Sequence, residues 1–137
     1  VIAGEGAELQ RLKDLATHLD VEHRVKFAGR LTDQEMIDHL ARCRAVVFPP
    51  FNEDYGFVTV EAFMCGKPVI TCVDSGGPAE LVRDRVNGYV AAPTPEAIAT
   101  AMRSLVDDRN LAARMGEAGH ELASHMTWSK AIQQLLV

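Results

Sequence analysis

Cysteine is scarce and poorly spaced for chemistry. Only Cys43, Cys65 and Cys72 occur in 137 residues, and no two have C-x-x-C spacing. That pattern argues against a disulfide framework, a redox pair or a zinc site. Two of the three sit in apolar runs, Phe63-Met64-Cys65 and Ile70-Thr71-Cys72, so buried free thiols in a reducing compartment are expected. Positive charge is in deficit, with 14 Lys+Arg against 19 Asp+Glu and a net charge of −5. General binding to nucleic acid or to an anionic membrane needs dense positive charge, so neither partner is expected, although a local basic pocket stays open. No apolar run approaches the roughly 18 residues of a membrane span, and the opening residues carry no leader pattern. There is no low-complexity linker and no repeat of solenoid period. The chain opens on Val1-Ile2-Ala3-Gly4, which reads as the inside of a strand, so a piece of a longer protein is expected.

What is present suits one soluble domain: 47% hydrophobic, 24% charged, 10 Gly and 6 Pro. A chain this long buries roughly 70% of its unfolded surface, enough for a core without staples. Apolar β-rich runs alternate with helical patterns, the signature of an α/β parallel sheet flanked by helices. Val1–Ala3 reads as a short buried strand, and Leu9, Leu12, Leu15, Ala16 and Leu19 recur at helical spacing. Val25–Ala28 is the next strand. Thr32 and Glu35 form a capping box ahead of Met36, Ile37, Leu40 and Ala41. Ala45–Phe48 looks like a central strand stopped by Pro49-Pro50.

Residues 57–65 carry mixed signals but read as a helix stopped by Gly66 and Pro68. Pro68–Cys72 is a buried strand, and Gly76-Gly77-Pro78 turns into a short helix with Pro78 at the first position and Glu80 at the third. Asn87-Gly88 precedes the strand Tyr89–Ala91. Thr94-Pro95 caps a helix carrying Ile98, Met102 and Leu105, and two further helices are expected around 109–124 and 128–136.

The strongest constellation is Glu53-Asp54-Tyr55-Gly56-Phe57-Val58-Thr59-Val60-Glu61. If a helix starts near Phe57, the amides of Gly56 to Val58 face the crevice at the carboxyl end of a strand, where a parallel sheet takes its ligands and a helix N-terminus favours phosphate. Glu53 and Glu61 are poor phosphate partners, but carboxylates accept hydrogen bonds from sugar hydroxyls well. The plainer alternative is that Glu61 complements the helix dipole and Glu53 is a solvated loop charge.

The ordered series Glu53-x7-Glu61, Glu61-Ala62-Phe63-Met64-Cys65-Gly66-Lys67-Pro68-Val69-Ile70, Gly76-Gly77-Pro78-Ala79-Glu80 and Asn87-Gly88-Tyr89-Val90 resembles the donor-binding half of a GT-B glycosyltransferase. The family is the large retaining one called group 1 or family 4. Val1-Ile2-Ala3-Gly4-Glu5-Gly6 is similar to its strand and Gly-x-Gly loop, Val25-Lys26-Phe27-Ala28-Gly29 to its next strand, and Arg114-Met115-Gly116-Glu117-Ala118-Gly119 to a late helix. The resemblance covers nearly the whole chain and implies a Rossmann-like parallel sheet, the C-terminal half of a GT-B fold without its first strand–helix unit.

Its implied site follows position by position. Glu53 holds the donor sugar with Gly56 and Phe57, and Glu61 holds the ribose hydroxyls. The amide of Val58 faces the diphosphate, Leu31 lies by the nucleobase, and Gly4 and Gly6 form the glycine loop of the nucleotide site. The implied ligand is a nucleotide-diphospho-sugar such as a UDP- or GDP-sugar, with no metal and no other cofactor, because oriented amides and cations take the departing charge. The implied reaction is metal-independent, retaining hexosyl transfer to an acceptor held by an N-terminal domain outside these residues. The setting would be polysaccharide, lipopolysaccharide or glycolipid assembly, in the cytoplasm or peripheral to a membrane through that N-terminal domain. These residues alone are expected to be inactive. A non-catalytic sugar-nucleotide-binding domain and a GT-B nucleotide-sugar epimerase are the alternatives.

Two departures stand out. Asp54 occupies a position where the family often has a small residue, and solvent is its expected surroundings. The basic pair that neutralises the leaving diphosphate belongs to a unit ahead of Val1 in the family. The implied strand order puts that unit's strand between those at Val1 and Ala45. Its absence would leave open edges, with poor stability or self-association as the expected result. The remaining features read structurally: the five histidines as surface or capping groups, Trp128 with Ile132 and Leu135 as core or docking face, and Arg83-Asp84-Arg85 as a solvated turn.

Overall fold

A computed structural model describes residues 1–126 and Gln133. The helix expected around 128–136, with Trp128, Ile132 and Leu135, lies outside the described residues. The chain forms two compact units, Val1–Asp38 and His39–Val137. In the first, β1 (Ile2–Ala3) pairs in parallel with β2 (Phe27–Gly29), and α1 (Leu9–His18) connects them. Helix α2 (Asp33–Arg42) spans the boundary. In the second unit, β3 (Val46–Val47), β4 (Val69–Cys72) and β5 (Gly88–Ala91) form a parallel sheet in that order. Helices α3 (Phe57–Met64), α4 (Gly77–Leu81), α5 (Pro95–Asp107) and α6 (Arg109–Ser124) complete it. The α/β class read from the alternating pattern therefore holds. No described helix is long and apolar enough to cross a membrane.

Local chemistry sets the helix ends. Thr32 and Glu35 cap α2 reciprocally: the Thr32 amide donates to Glu35 Oε2 at 2.8 Å and the Glu35 amide to Thr32 Oγ1 at 3.3 Å. Thr94 Oγ1 accepts from the Ala97 amide at 3.3 Å to start α5, and Asp108 Oδ1 accepts from Leu111 at 2.8 Å to start α6. Helix α3 stops as expected. Gly66, with φ of 66°, donates to the Phe63 carbonyl at 2.8 Å, and Lys67 donates to Ala62 at 2.9 Å. Helix α4 starts one residue earlier than expected, so Gly77 takes the first position and Pro78 the second. A proline is tolerated there equally, because neither amide has an intrahelical acceptor.

Two expectations need correction. The strand at β1 is exposed, not buried. The strand at β3 is an edge of its sheet, with β4 in the centre and Val47 39% exposed. The apolar run looks central, but an open edge here is what the strand order implied by the resemblance predicts. The turn at Arg83–Arg85 is exposed, as expected, and it also holds backbone. Asp84 Oδ1 accepts from the Val90 amide at 3.0 Å, and the Arg85 amide donates to the Gly88 carbonyl at 2.8 Å. Buried Asn87 closes the turn, accepting from the Arg83 amide at 2.7 Å and donating to the Leu81 carbonyl at 3.3 Å.

The core of the second unit joins Ile70 of β4 to Ala101 and Leu105 of α5 and to Ala112 and Met115 of α6, with Ile98 packed against it. Met102 lies off this stripe and is exposed, because Ala101 takes the inward position. Each fully buried Ile or Leu contributes about 1.5–3 kcal/mol. All three thiols are free. Cys72 is buried while Cys43 and Cys65 are half-buried. Burial, followed by the Asp74 carboxylate, raises the pKa of Cys72.

Close packing of α6 explains the two glycines of Arg114–Gly119. A Cβ on Gly116 would strike the Gly66 carbonyl, and one on Gly119 would strike the Phe63 ring. In an exposed helix Gly→Ala gains about 1 kcal/mol of helix propensity. Here overpacking outweighs that gain. Gly116→Ala is expected to destabilise the chain by about 1–3 kcal/mol, read as a lower urea midpoint at unchanged m-value.

Candidate donor-binding site

The loop between β3 and α3 is held by backbone against backbone. The Asn52 amide donates to the Asp74 carbonyl at 2.9 Å and the Glu53 amide to Ser75 at 3.1 Å, while the Gly77 amide returns to the Glu53 carbonyl at 2.8 Å. Two glycines make this approach possible. A Cβ on Gly76 would lie 2.5 Å from the Glu53 carbonyl oxygen, and one on Gly77 would lie 2.5 Å from that of Asp54. Ser75 braces the turn from beneath, its buried hydroxyl accepting from the Cys72 amide at 3.1 Å. Thr71 Oγ1 donates to the Phe48 carbonyl at 2.9 Å, tying β4 to the start of the loop.

Gly56 turns the loop into α3. It is buried, with φ of 71° and ψ of 60°, and a Cβ there would lie 2.5 Å from Pro78 Cγ. No side chain caps α3, and the amides of Gly56, Phe57 and Val58 donate to no acceptor among the described residues. The Thr59 amide begins the turn by donating to the Gly56 carbonyl at 2.8 Å. A helix start thus presents three free N–H groups just beyond the carboxyl end of β3, an arrangement that favours an anion.

Glu53 and Glu61 are both exposed, and neither carboxylate has a hydrogen-bond or ion-pair partner among the described residues. Glu53 sits on the pinned loop and Glu61 is the fifth residue of α3. Their acceptor capacity is therefore unspent. Asp54 is exposed, as expected. The loop and the first residue of α3 also carry exposed aromatic rings. Phe51 is 83% exposed and Phe57 70%, and the Phe57 ring lies against Tyr55 with centroids 4.7 Å apart.

The remaining expected residues belong to the first unit. The Gly4 amide donates to the Gly29 carbonyl at 2.8 Å, so it is engaged within the β1–β2 pair, whereas the Gly6 amide is not. Leu31 is half-buried just after Gly29. Also in this unit, Asp20, Glu22 and His23 lie with ligand atoms within 4.8 Å of one another, all exposed on one turn. Two open cavities, of about 430 and 330 Å³, include neither Glu53 nor Glu61. His120 borders the first, its Nδ1 3.1 Å from the Met64 carbonyl, and so helps to close the end of α3.

Residues 1–122 match the family model described as glycosyl transferases group 1. The chain belongs to that family. It is 34% identical over 110 residues to the mouse alpha-1,3/1,6-mannosyltransferase ALG2, covering 80% of this chain and 26% of that protein. A sucrose-phosphate synthase structure from Thermosynechococcus elongatus superposes with a TM-score of 0.85 at 27% identity, covering 95% of this chain and 33% of that one. The Anabaena Alr3699/HepE structure in complex with UDP-glucose gives 0.82 at 30% identity, covering 98% of this chain and 38% of that one. The chain thus spans about a quarter to two-fifths of the length of these relatives. The family and the α/β fold read from the ordered motifs are borne out.

The glycine pair at Gly76–Gly77 generates a structural prediction. Gly76→Ala adds a Cβ at a backbone with φ of 70° and against the Glu53 carbonyl. It is expected to cost about 2–4 kcal/mol. Gly66→Ala is the control, since it has φ of 66° but open space around its Cβ, and about 1–2 kcal/mol is expected there. Chemical denaturation of the two variants reads the difference.

Proposed function

We propose that this chain is the C-terminal, donor-binding domain of a metal-independent, retaining glycosyltransferase that uses a nucleotide-diphospho-sugar. One observation carries the reading: the amides of Gly56, Phe57 and Val58, which open α3, and the carboxylates of Glu53 and Glu61 on either side of them in the chain have no partner among the described residues. The amides suit the diphosphate, whose charge grows as the sugar leaves. They accept that charge without a metal ion, which is the basis for proposing metal independence. Glu61, one turn into the helix, takes the ribose hydroxyls, and Glu53 takes those of the donor sugar. On this reading the carboxylates position the donor and are not a general acid/base pair. Retention proceeds by front-face displacement, with the leaving phosphate accepting the acceptor's proton. The roles of Gly4, Gly6 and Leu31 are proposed for the first unit by resemblance alone.

The UDP-glucose complex of the HepE relative supports a sugar nucleotide as the ligand class. The relatives' names support glycosyl transfer as the activity of the whole protein, to an acceptor held outside these residues. A cytoplasmic setting, peripheral to a membrane through residues beyond this chain, belongs to the same proposal. So does self-association: β3 pairs only with β4, and its other edge carries no strand among the described residues. Residues 1–137 alone are proposed to bind nucleotide weakly and to transfer no sugar.

Calorimetric titration with UDP, GDP, ADP and CDP is expected to select one nucleotide. Glu61→Ala should weaken it about tenfold or more, the worth of a charged hydrogen-bond acceptor. Unchanged affinity in that variant would overturn the assignment of Glu61. Glu53→Ala should weaken the nucleotide sugar by a similar factor and leave the bare nucleotide unaffected, which separates the two roles.

A further inference from the structure

The second cavity, of about 330 Å³, is lined by Arg44, Lys67 and Arg109 together with Cys43, Ala112 and Glu117. Arg44 and Lys67 each lie two residues before a strand, β3 and β4, so this cavity lies at the amino end of the three-stranded sheet. The proposed donor site lies at its carboxyl end. Three cations surround it against one carboxylate, in a chain whose net charge is −5. None of the three cations has an ion pair or a side-chain hydrogen bond among the described residues. Arg44 Nη1 is moreover buried with no hydrogen-bond partner among the described residues. A buried charged donor left unpaired is costly, and like charges gathered around one cavity repel. Lys67 projects its charge into the same region. Burial raises the pKa of Cys43, and the Lys67 ammonium pulls it back.

We propose that this cavity is a second, separate binding site, for a phosphate-class oxyanion. The planar guanidinium of Arg44 matches two oxygens of a phosphate, and a small turn toward the cavity gives its orphaned nitrogen an acceptor. Lys67 supplies a point charge in the same lining, and exposed Arg109, the first residue of α6, adds a second guanidinium to it. Glu117 is exposed and is the opposing charge. A dianion neutralises the cluster, and a neutral sugar would leave its electrostatics unchanged. This inference does not rest on the donor-site assignment, because the two sites share no residue.

Inorganic phosphate is the probe, titrated into the chain at constant ionic strength and followed by calorimetry and by backbone amide chemical shifts. Saturable binding is expected, with the shifts concentrated at Lys67, Arg109 and Ala112. Arg44→Gln and Lys67→Gln should each weaken it about tenfold. Glu117→Gln should tighten it about twofold by removing the opposing charge. Because Arg44 is partly buried, exposed Arg109→Gln serves as the variant that leaves the fold intact, and it too should weaken binding. Phosphatidylcholine vesicles with and without phosphatidic acid distinguish the sources of the phosphate. Sedimentation with the acidic vesicles, lost in Lys67→Gln, adds a lipid headgroup as a source. Three results would overturn the proposal: no saturable phosphate binding by a chain that circular dichroism shows to be folded, shifts confined to Gly56–Val58, or vesicle binding without binding of free phosphate.

Discussion

The contact between the Asn52–Tyr55 backbone and the Asp74–Gly77 turn governs the second unit. Three backbone hydrogen bonds, of 2.8 to 3.1 Å, cross it. Main chain reaches main chain this closely only where Cβ atoms are missing, at Gly76 and Gly77. From this contact the loop leaves β3 in one direction and enters α3 through Gly56, where Pro78 fills the space a side chain would need. The start of α3, and therefore the direction of its free amides, follows from glycine placement and not from a capping side chain.

The same economy governs the far end of that helix. Gly66 reverses the chain with φ of 66°, and α6 crosses directly over it because Gly116 and Gly119 leave room for the Gly66 carbonyl and the Phe63 ring. Phe63 and Ala62 are fully buried there. Sites at opposite ends of β4 thus depend on glycines in two different roles. Some permit positive φ, and others permit one backbone to touch another.

Much of this was legible in the sequence because it is encoded locally. The reciprocal Thr32–Glu35 cap, the Thr94 cap, the Gly66 stop and the Asn87-Gly88 turn each need only a few neighbouring residues, and all four occur. Residues 57–65, which mix β-branched and helical signals, form a helix because Gly56 can start one and Gly66 can end it. Features set at long range were not legible. That Ile2–Ala3 would be exposed depends on which strands lie alongside, and the open edge at Val46–Val47 was expected only from the strand order that the resemblance implies, not from its own apolar run. The meaning of Gly116 and Gly119 depends on what crosses α6. Arg44, Lys67 and Arg109 are scattered over 66 positions, and no spacing rule gathers them into one cavity. The candidate site falls between these cases. Glu53 and Glu61 stood out by their spacing within an ordered series, but the pinning of their loop by Gly76 and Gly77 emerged only from the fold.

Helix α3 is built like a beam held at both ends. Its root is clamped by a glycine turn, by His120 and by α6, while its start is seated at buried Gly56 against Pro78 and projects three amides that meet no acceptor among the described residues. A ligand meeting those amides therefore pushes against a beam that is already fixed. Little chain disorder has to be frozen when it docks, so more of the contact energy appears as affinity. Loosening the root, tens of residues away in sequence, would weaken that grip without altering a single atom that the ligand touches.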